Sequence, residues 1–347
     1  YLEQSIMPQL TQADFAAFKA EAESRGIYLP ASVTKFAMDA DPQPGLGANG
    51  GIPAVVSTFI DPEIVRTIFA KQKATEILGE KKKGSWAQDT MMIQRVEQSG
   101  DVVAYDDYSE QGANQVTSRW ENRQVFRYQT MVTYGELEQE RYGLAMLPYV
   151  AEKQRAAAWT LNQAQNKFYF YGVSGLLNYG ILNDPSLPTP ITPATVGGVT
   201  LWKDKQVIDI YNDILALYAD LIARTNGAVG DGVDMASPLV LAMSPAASVW
   251  FKKSNEIFGN SVEKMVKDTF TNIRIEVAPQ YSTAAGELVQ MFVETAQGQD
   301  AGYCAYSEKL RAHPVITMTS SWKQKHSGTT YGAVITQPFL FAQLLGV

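Results

Sequence analysis

The chain has 347 residues, 46% of them hydrophobic and 19% charged, enough for about two domains and a sizeable core and too apolar for a disordered polymer. Its net charge of -7 argues against coating nucleic acid by phosphate neutralisation. The single cysteine, Cys304, excludes an internal disulfide and a cysteine-built zinc site, and the longest charge-free runs, such as Ser237 to Phe251, hold Pro and Ser and are too broken to span a bilayer. No basic-then-apolar leader opens the sequence, so no export signal supports a secreted structural protein, and the lone thiol fits a reducing compartment.

Residues 1–57 read as an arm rather than a domain. Thr11, three before Asp14, resembles a capping box, with Phe15 and Phe18 as the apolar face and Gly26 as the stop. The stretch Asp41 to Pro53 is too rich in Gly and Pro to form a packed element. An arm with a few aromatic anchors on such a tether needs another surface to lie on. Asp61-Pro62 starts a second helix, with Asp as N-cap, Pro at the first position, and Ile64, Val65, Ile68 and Phe69 as its apolar face. Lys81, Lys82 and Lys83 close that segment.

Residues 85–133 read as two long strands. The outgoing half, Trp86 to Val96, alternates loosely. In the return half Trp120, Phe126 and Tyr128 share one side with Asn122 and Gln124, and Arg119, Glu121, Arg123 and Arg127 share the other. From Val96 to Ser118 there are five acids, Glu97, Asp101, Asp106, Asp107 and Glu110, and no Lys or Arg. A two-stranded ribbon with an extended acidic tip is not stable alone in water.

From Leu147 onward apolar residues recur at Val150, Ala157, Leu161, Ala164, Phe168 and Tyr171, spaced for one face of a helix. Pro148 suits its first turn and Gly172 its stop. Such a helix spans about 36 Å. A turn-rich stretch, Gly172 to Pro188, follows. Val207, Tyr211, Ile214, Leu217, Tyr218 and Leu221 then mark a second amphipathic helix ending at Asn226-Gly227. A buried strand at Pro238 to Met243, helices from Ser244-Pro245 to Lys252 and at Ser261 to Asp268, and strands at Asn272 to Val277 and Glu287 to Glu294 complete an α/β unit. The tail returns to strand at Val315 to Gln324, turns at His326-Ser327-Gly328, and closes with Thr329 to Thr336.

Catalytic motifs are weak. Gly45-x-Gly47-x-x-Gly50 matches the dinucleotide string, but prolines flank it where a strand and a helix belong. The tip acids lack the spacing of a calcium loop. Asp231 and Asp234 form a carboxylate pair without a partner base, which leaves a small-oligomer hydrolase as a minor alternative. His313 and His326 are the only histidines, too few for most metal sites. Ser174 lacks the second glycine of a nucleophile elbow.

The order of parts resembles the major capsid proteins of tailed bacteriophages, the Hong Kong ninety-seven-type coat fold. Three stretches carry the likeness. GELEQERYGLAMLPYVAEKQRAAAWTLNQAQNKFYFYG, Gly135 to Gly172, looks like that family's lead-in and spine helix. GLLNYGILNDP, Gly175 to Pro185, resembles the turn that follows it in coat proteins and encapsulins. GTTYGAVITQPFLFAQLLGV, Gly328 to Val347, resembles the closing strand.

The resemblance implies an α+β fold divided into an N-terminal arm (1–57), a peripheral domain (58–84, 134–171 and 307–347), an E-loop hairpin (85–133) and an axial domain (172–306). It implies a non-enzymatic structural protein without cofactor or metal, which self-assembles as hexamers and pentamers into an icosahedral shell around double-stranded DNA. Expected inter-subunit contacts are Glu97, Asp101, Tyr105, Asp106, Asp107, Tyr108, Glu110, Arg119, Trp120 and Arg123 on the E-loop, and Phe15, Phe18 and Tyr28 on the arm. The acidic tip would meet basic residues such as Arg119, Arg123, Lys323 or Lys325 of a neighbour.

The implied partners are other copies of the chain, portal and scaffolding proteins, DNA on the inner face and a cement protein, with no membrane. The product would sit in the virion after synthesis in the host cytoplasm. Some members of the family join a loop lysine to a neighbour's asparagine. Here no lysine lies between Gly84 and Arg141, so a non-covalent shell is expected. An encapsulin-type bacterial compartment of the same fold is the nearest alternative.

Overall fold

The computed structural model describes residues 72–108, 112–144, 148–225, 237–254 and 260–347. The expected helices after Thr11 and Asp61, and the Gly/Pro tether, lie outside them. In chain order the described elements begin with helix α1 (Ala74–Leu78) and strand β1 (Glu80–Lys82). Strands β2 (Thr90–Gly100) and β3 (Asn114–Gln124) pair antiparallel along their whole length, from Thr90 opposite Gln124 to Gly100 opposite Asn114. A single residue, Val125, separates β3 from β4 (Phe126–Gly135), and β4 abandons the ribbon for a strand near the C-terminus.

Helix α2 (Glu136–Leu144) buries none of its residues. Its Tyr142 ring stacks on Tyr149 at 4.0 Å, at the start of the long helix α3 (Tyr149–Tyr171). The apolar face of α3 meets β4 where Phe168 packs against Phe126 and Tyr128, with ring centroids 5.1 and 5.2 Å apart. Gly172 ends α3 with φ +63, and a Cβ there would stand 2.3 Å from the Asn178 carbonyl oxygen, so only glycine fits the stop.

Next come α4 (Val207–Thr225), β5 (Leu239–Met243), α5 (Pro245–Phe251), α6 (Val262–Thr269), β6 (Ile273–Val277) and β7 (Gly286–Val293). Ser244 caps α5 as its sequence position predicts, its Oγ accepting the Ala247 N–H at 3.1 Å. The final strands are β8 (Gly302–Tyr306), β9 (Arg311–Ala312), β10 (Ile316–Thr317), β11 (Ser321–Thr330), β12 (Gly332–Ile335) and β13 (Phe341–Leu345).

Three assemblies of strands result, besides the ribbon and one short pair. A central sheet runs β13–β7–β5–β6, and α4 lays Ile210, Ile214, Leu217 and Leu221 into the core beside it. β5 is buried at every position, as expected of a strand covered on both faces. A small sheet joins β1, β8 and β12. A third sheet sets β11 between β4 and the short strands β9 and β10.

The tail departs from expectation in two ways. The turn predicted at His326-Ser327-Gly328 is absent, and β11 runs straight through it. Gly328 is needed for close packing: a Cβ there would stand 2.8 Å from the Tyr128 ring and 2.9 Å from the Lys309 carbonyl oxygen. The chain turns instead after Tyr331, where Gly332 has φ +75. The closing segment 307–347 is also divided. β11 belongs with β4, whereas β13 ends the chain in the central sheet against β7.

Candidate assembly surface

The β2–β3 ribbon has two unlike faces. Its root lies on the small sheet, where Met91, Ile93 and Val125 pack on Tyr303, Ala305, Tyr331 and Val334. On that same inward face sits an ionic relay. Arg95 pairs with Glu121 at 2.7 Å and donates to the carbonyl oxygens of Ile335 and Thr336 at 2.8 and 3.0 Å. Arg123 pairs with Glu121 and with Asp184, each at 2.7 Å, and lies over the Tyr179 ring.

Arg123 therefore leaves the set of expected inter-subunit contacts. It is 1% exposed and its charge is consumed inside its own chain. Removing Arg123 would strand the buried carboxylate of Asp184. Asp184 comes from the turn after α3, and nothing in the local pattern of either residue announces the pairing.

That turn fixes the ribbon's root. Gln124 N–H donates to the Leu177 carbonyl at 2.9 Å, and Asn178 Nδ2 reaches the carbonyl oxygens of Gln124 and Thr330 at 3.2 and 3.1 Å. One short loop thus ties together the ribbon, the end of α3 and the end of β11.

The outward face carries no charge and mixes apolar side chains with Gln94, Gln98, Ser118 and Asn122. Met92, Val96, Val116 and Trp120 share it by strand parity and are exposed, Trp120 by 60%. The expectation that Trp120 would share a side with Phe126 and Tyr128 fails at Val125, where the strand changes sheets: those two rings are covered by α3 and Trp120 is bare. Beyond Val96 the ribbon stands clear of the body. Val102 is 100% exposed, Tyr105 91% and Tyr108 96%. Glu97, Asp101, Asp106 and Asp107 are exposed there too and enter no ion pair among the described residues. The contacts at Asp106 and Asp107 are local: Asp107 accepts the Tyr105 hydroxyl at 2.6 Å and Asp106 the Tyr108 N–H at 3.2 Å. Arg119 is exposed as well. Glu110, Phe15, Phe18, Tyr28, Asp231 and Asp234 lie outside the described residues.

Reactive chemistry is poorly provided elsewhere. Burial pushes the Cys304 thiol well above its ordinary pKa, which keeps it protonated. His313 Nε2 is engaged by Ser327 Oγ at 2.8 Å. A cleft of about 170 Å³ carries Glu80, Lys81, Glu294 and Asp300, whose charges pair with Lys309, Asp300, Arg274 and Lys81 respectively.

An unsupported ribbon, a spine helix and a central α/β unit in this order are matched among known proteins. Residues 43–346 match the family described as Pa193 gp26 major capsid protein. The chain belongs to that family. Solved structures agree on the fold. The capsid of Myoviridae phage XM1 is similar with a TM-score of 0.70 at 14% identity, over 86% of this chain and 100% of that one. The capsid of the native GTA particle gives 0.59 at 10% identity, over 88% and 100%. A solved structure of Gordonia phage Cozz gives 0.55 at 9% identity, over 89% and 98%. No curated protein matches the sequence.

This major capsid protein has the Hong Kong ninety-seven-type α+β fold of tailed-phage coats. Its role is structural rather than enzymatic, and its place is the virion capsid, as one of many copies in a closed shell. Neither the hydrolase nor the encapsulin alternative is favoured.

Proposed function

We propose that the β2–β3 ribbon is the E-loop by which each capsid protein overlaps a neighbouring copy, and that copies group as hexamers and pentamers. The observation that carries this reading is the ribbon's inverted character. On its charged side Arg95, Glu121 and Arg123 are spent on its own chain, and its uncharged side turns Met92, Val96, Val116 and Trp120 outward. Covering such side chains contributes on the order of 1 kcal/mol or more each, and a neighbour supplies the cover. By the same reading residues 58–84, 134–171 and the part of 307–347 that holds β11 form the peripheral domain, and 172–306 form the axial domain, to whose central sheet β13 adds a strand. The arm, with Phe15, Phe18 and Tyr28, lies on another subunit.

The shell encloses double-stranded DNA. A chain of net charge -7 meets it through local, non-specific contacts on the inner face rather than by an overall basic field. Portal, scaffolding and cement proteins complete the set of partners, and the protein is made in the host cytoplasm before assembly.

Deleting Gly100 to Asn114 tests the ribbon. The shortened chain is expected to melt like the parent, because the root contacts at Arg95, Arg123 and Gln124 remain, yet to give no closed particles by electron microscopy. Normal shells from the deletion would overturn the assignment.

A further inference from the structure

The third sheet has two faces, and only one is covered. Toward α3 it presents Phe126, Tyr128, Thr130 and Val132 with their partners on β11. The opposite face carries Met131 opposite Lys325 and Thr133 opposite Lys323, with Ile316 of β10 on the far side of Lys323. Met131 is 56% exposed and Ile316 64%.

This face is basic as well as apolar. The cations at its other end are already neutralised: Arg127 pairs with Asp89 at 2.6 Å and Arg311 lies 3.5 Å from Glu308. Lys323 and Lys325 enter no ion pair among the described residues. Two strand positions apart, they stand about 7 Å from one another on the same side.

The ribbon tip is the counterpart. It offers exposed Val102, Tyr105 and Tyr108 beside Asp101, Asp106 and Asp107, with no basic residue from Val96 to Ser118. We infer that the Met131–Ile316–Lys323–Lys325 face of one capsid protein is the seat for the acidic ribbon tip of a second copy. This rests on the reading of the ribbon as the element that overlaps a neighbour. Of the cations the sequence offered to the tip, Arg123 is buried, and Arg119 belongs to the ribbon itself, which leaves the two lysines. The two surfaces match in both properties. Apolar contact supplies attraction, and opposite charge fixes which face is chosen and in what register.

Charge exchange tests the pairing. The full-length Lys323→Glu/Lys325→Glu variant and the full-length Asp106→Lys/Asp107→Lys variant are each expected to cut the yield of sedimenting particles by about tenfold or more, since like charges then face one another. Circular dichroism and melting of the unassembled subunits should match the parent, because Asp106 and Asp107 are exposed and Lys323 and Lys325, partly buried, enter no ion pair among the described residues. The chain carrying all four changes is expected to recover most of the parent's yield.

Failure of the fourfold variant to recover, with both pairs of changes individually damaging and folded, would overturn the pairing. So would normal assembly of the Lys323→Glu/Lys325→Glu variant. That second outcome leaves the ribbon assignment standing if deletion of Gly100 to Asn114 still abolishes shells. Normal assembly of both the deletion and the lysine variant would remove the ribbon reading itself.

Discussion

His326 is the residue whose chemistry is least reconciled with its place. It lies on the covered face of β11, opposite Thr130 of β4 and Ala312 of β9, and is 6% exposed. Neither ring nitrogen has a hydrogen-bond partner among the described residues. Burial, and secondarily the like charge of His313, hold its pKa below the ordinary histidine value. A group depressed in the folded state is protonated more readily in the unfolded state. Its contribution is therefore fully present above about pH 6.5, the unfolded value, and drains as pH falls toward the lowered folded value. The unassembled subunit should lose stability over that range by at most about 1.4 kcal/mol per pH unit from this group. His326→Leu, similar in bulk and unable to ionise, should remove that slope. Denaturant melts of both proteins between pH 7.5 and 5 check it; parallel loss of stability in the two would show that other groups carry the acid sensitivity.

At the scale of elements, the loop from Gly172 to Pro185 does the most positioning for its size, and it does so by letting backbones touch. A Cβ on Gly180 would stand 2.2 Å from the Phe170 carbonyl oxygen, at the end of α3. Gly180→Ala is expected to destabilise the subunit by about 3 kcal/mol or more, since backbone must move on both sides. Gly175→Ala meets nothing within 4 Å and bears only the smaller strain of φ +85. Thermal melts of the two variants should differ accordingly, and equal losses would mean that the close approach is unimportant. The sequence made some elements legible and hid others, for reasons these residues display. α3 and α4 are plain because their apolar positions repeat with the helical period and Gly172 marks a stop. The ribbon is plain because alternation and a cation-free acidic tip are local patterns. Gly328 misled because a glycine that admits the Tyr128 ring looks the same in sequence as a glycine that turns a chain. Arg123 misled because Asp184, which buries its charge, is 61 residues away. β1 and β8, three and five residues long, carry too little pattern of their own and exist through pairing with each other.

For the whole molecule the open question is what kind of bond closes the shell. A covalent route needs an uncharged amine beside a neighbour's amide. The ribbon, proposed above to overlap a neighbouring copy, offers none, having no lysine between Gly84 and Arg141. Several lysines of the body are engaged by carboxylates of their own chain. Lys205 is buried 2.6 Å from Asp213, and Lys309 lies 2.8 Å from Glu80. Hydrogen bonding to Glu276, 2.8 Å away, raises the pKa of Lys73. An ammonium kept charged is not a nucleophile. On the proposed reading closure depends on many modest contacts repeated around the shell, each copy both giving a ribbon and receiving one, with total burial expected beyond a standard interface of about 1,600 Å². Shells of this kind should come apart completely when every contact is weakened together. Heating purified particles in SDS is expected to release only single chains on a denaturing gel. A ladder of dimers and higher multiples that survives reducing agent would show that an amine elsewhere on the chain reaches a partner, and that the ribbon's apolar face and acidic tip are not sufficient to hold the shell.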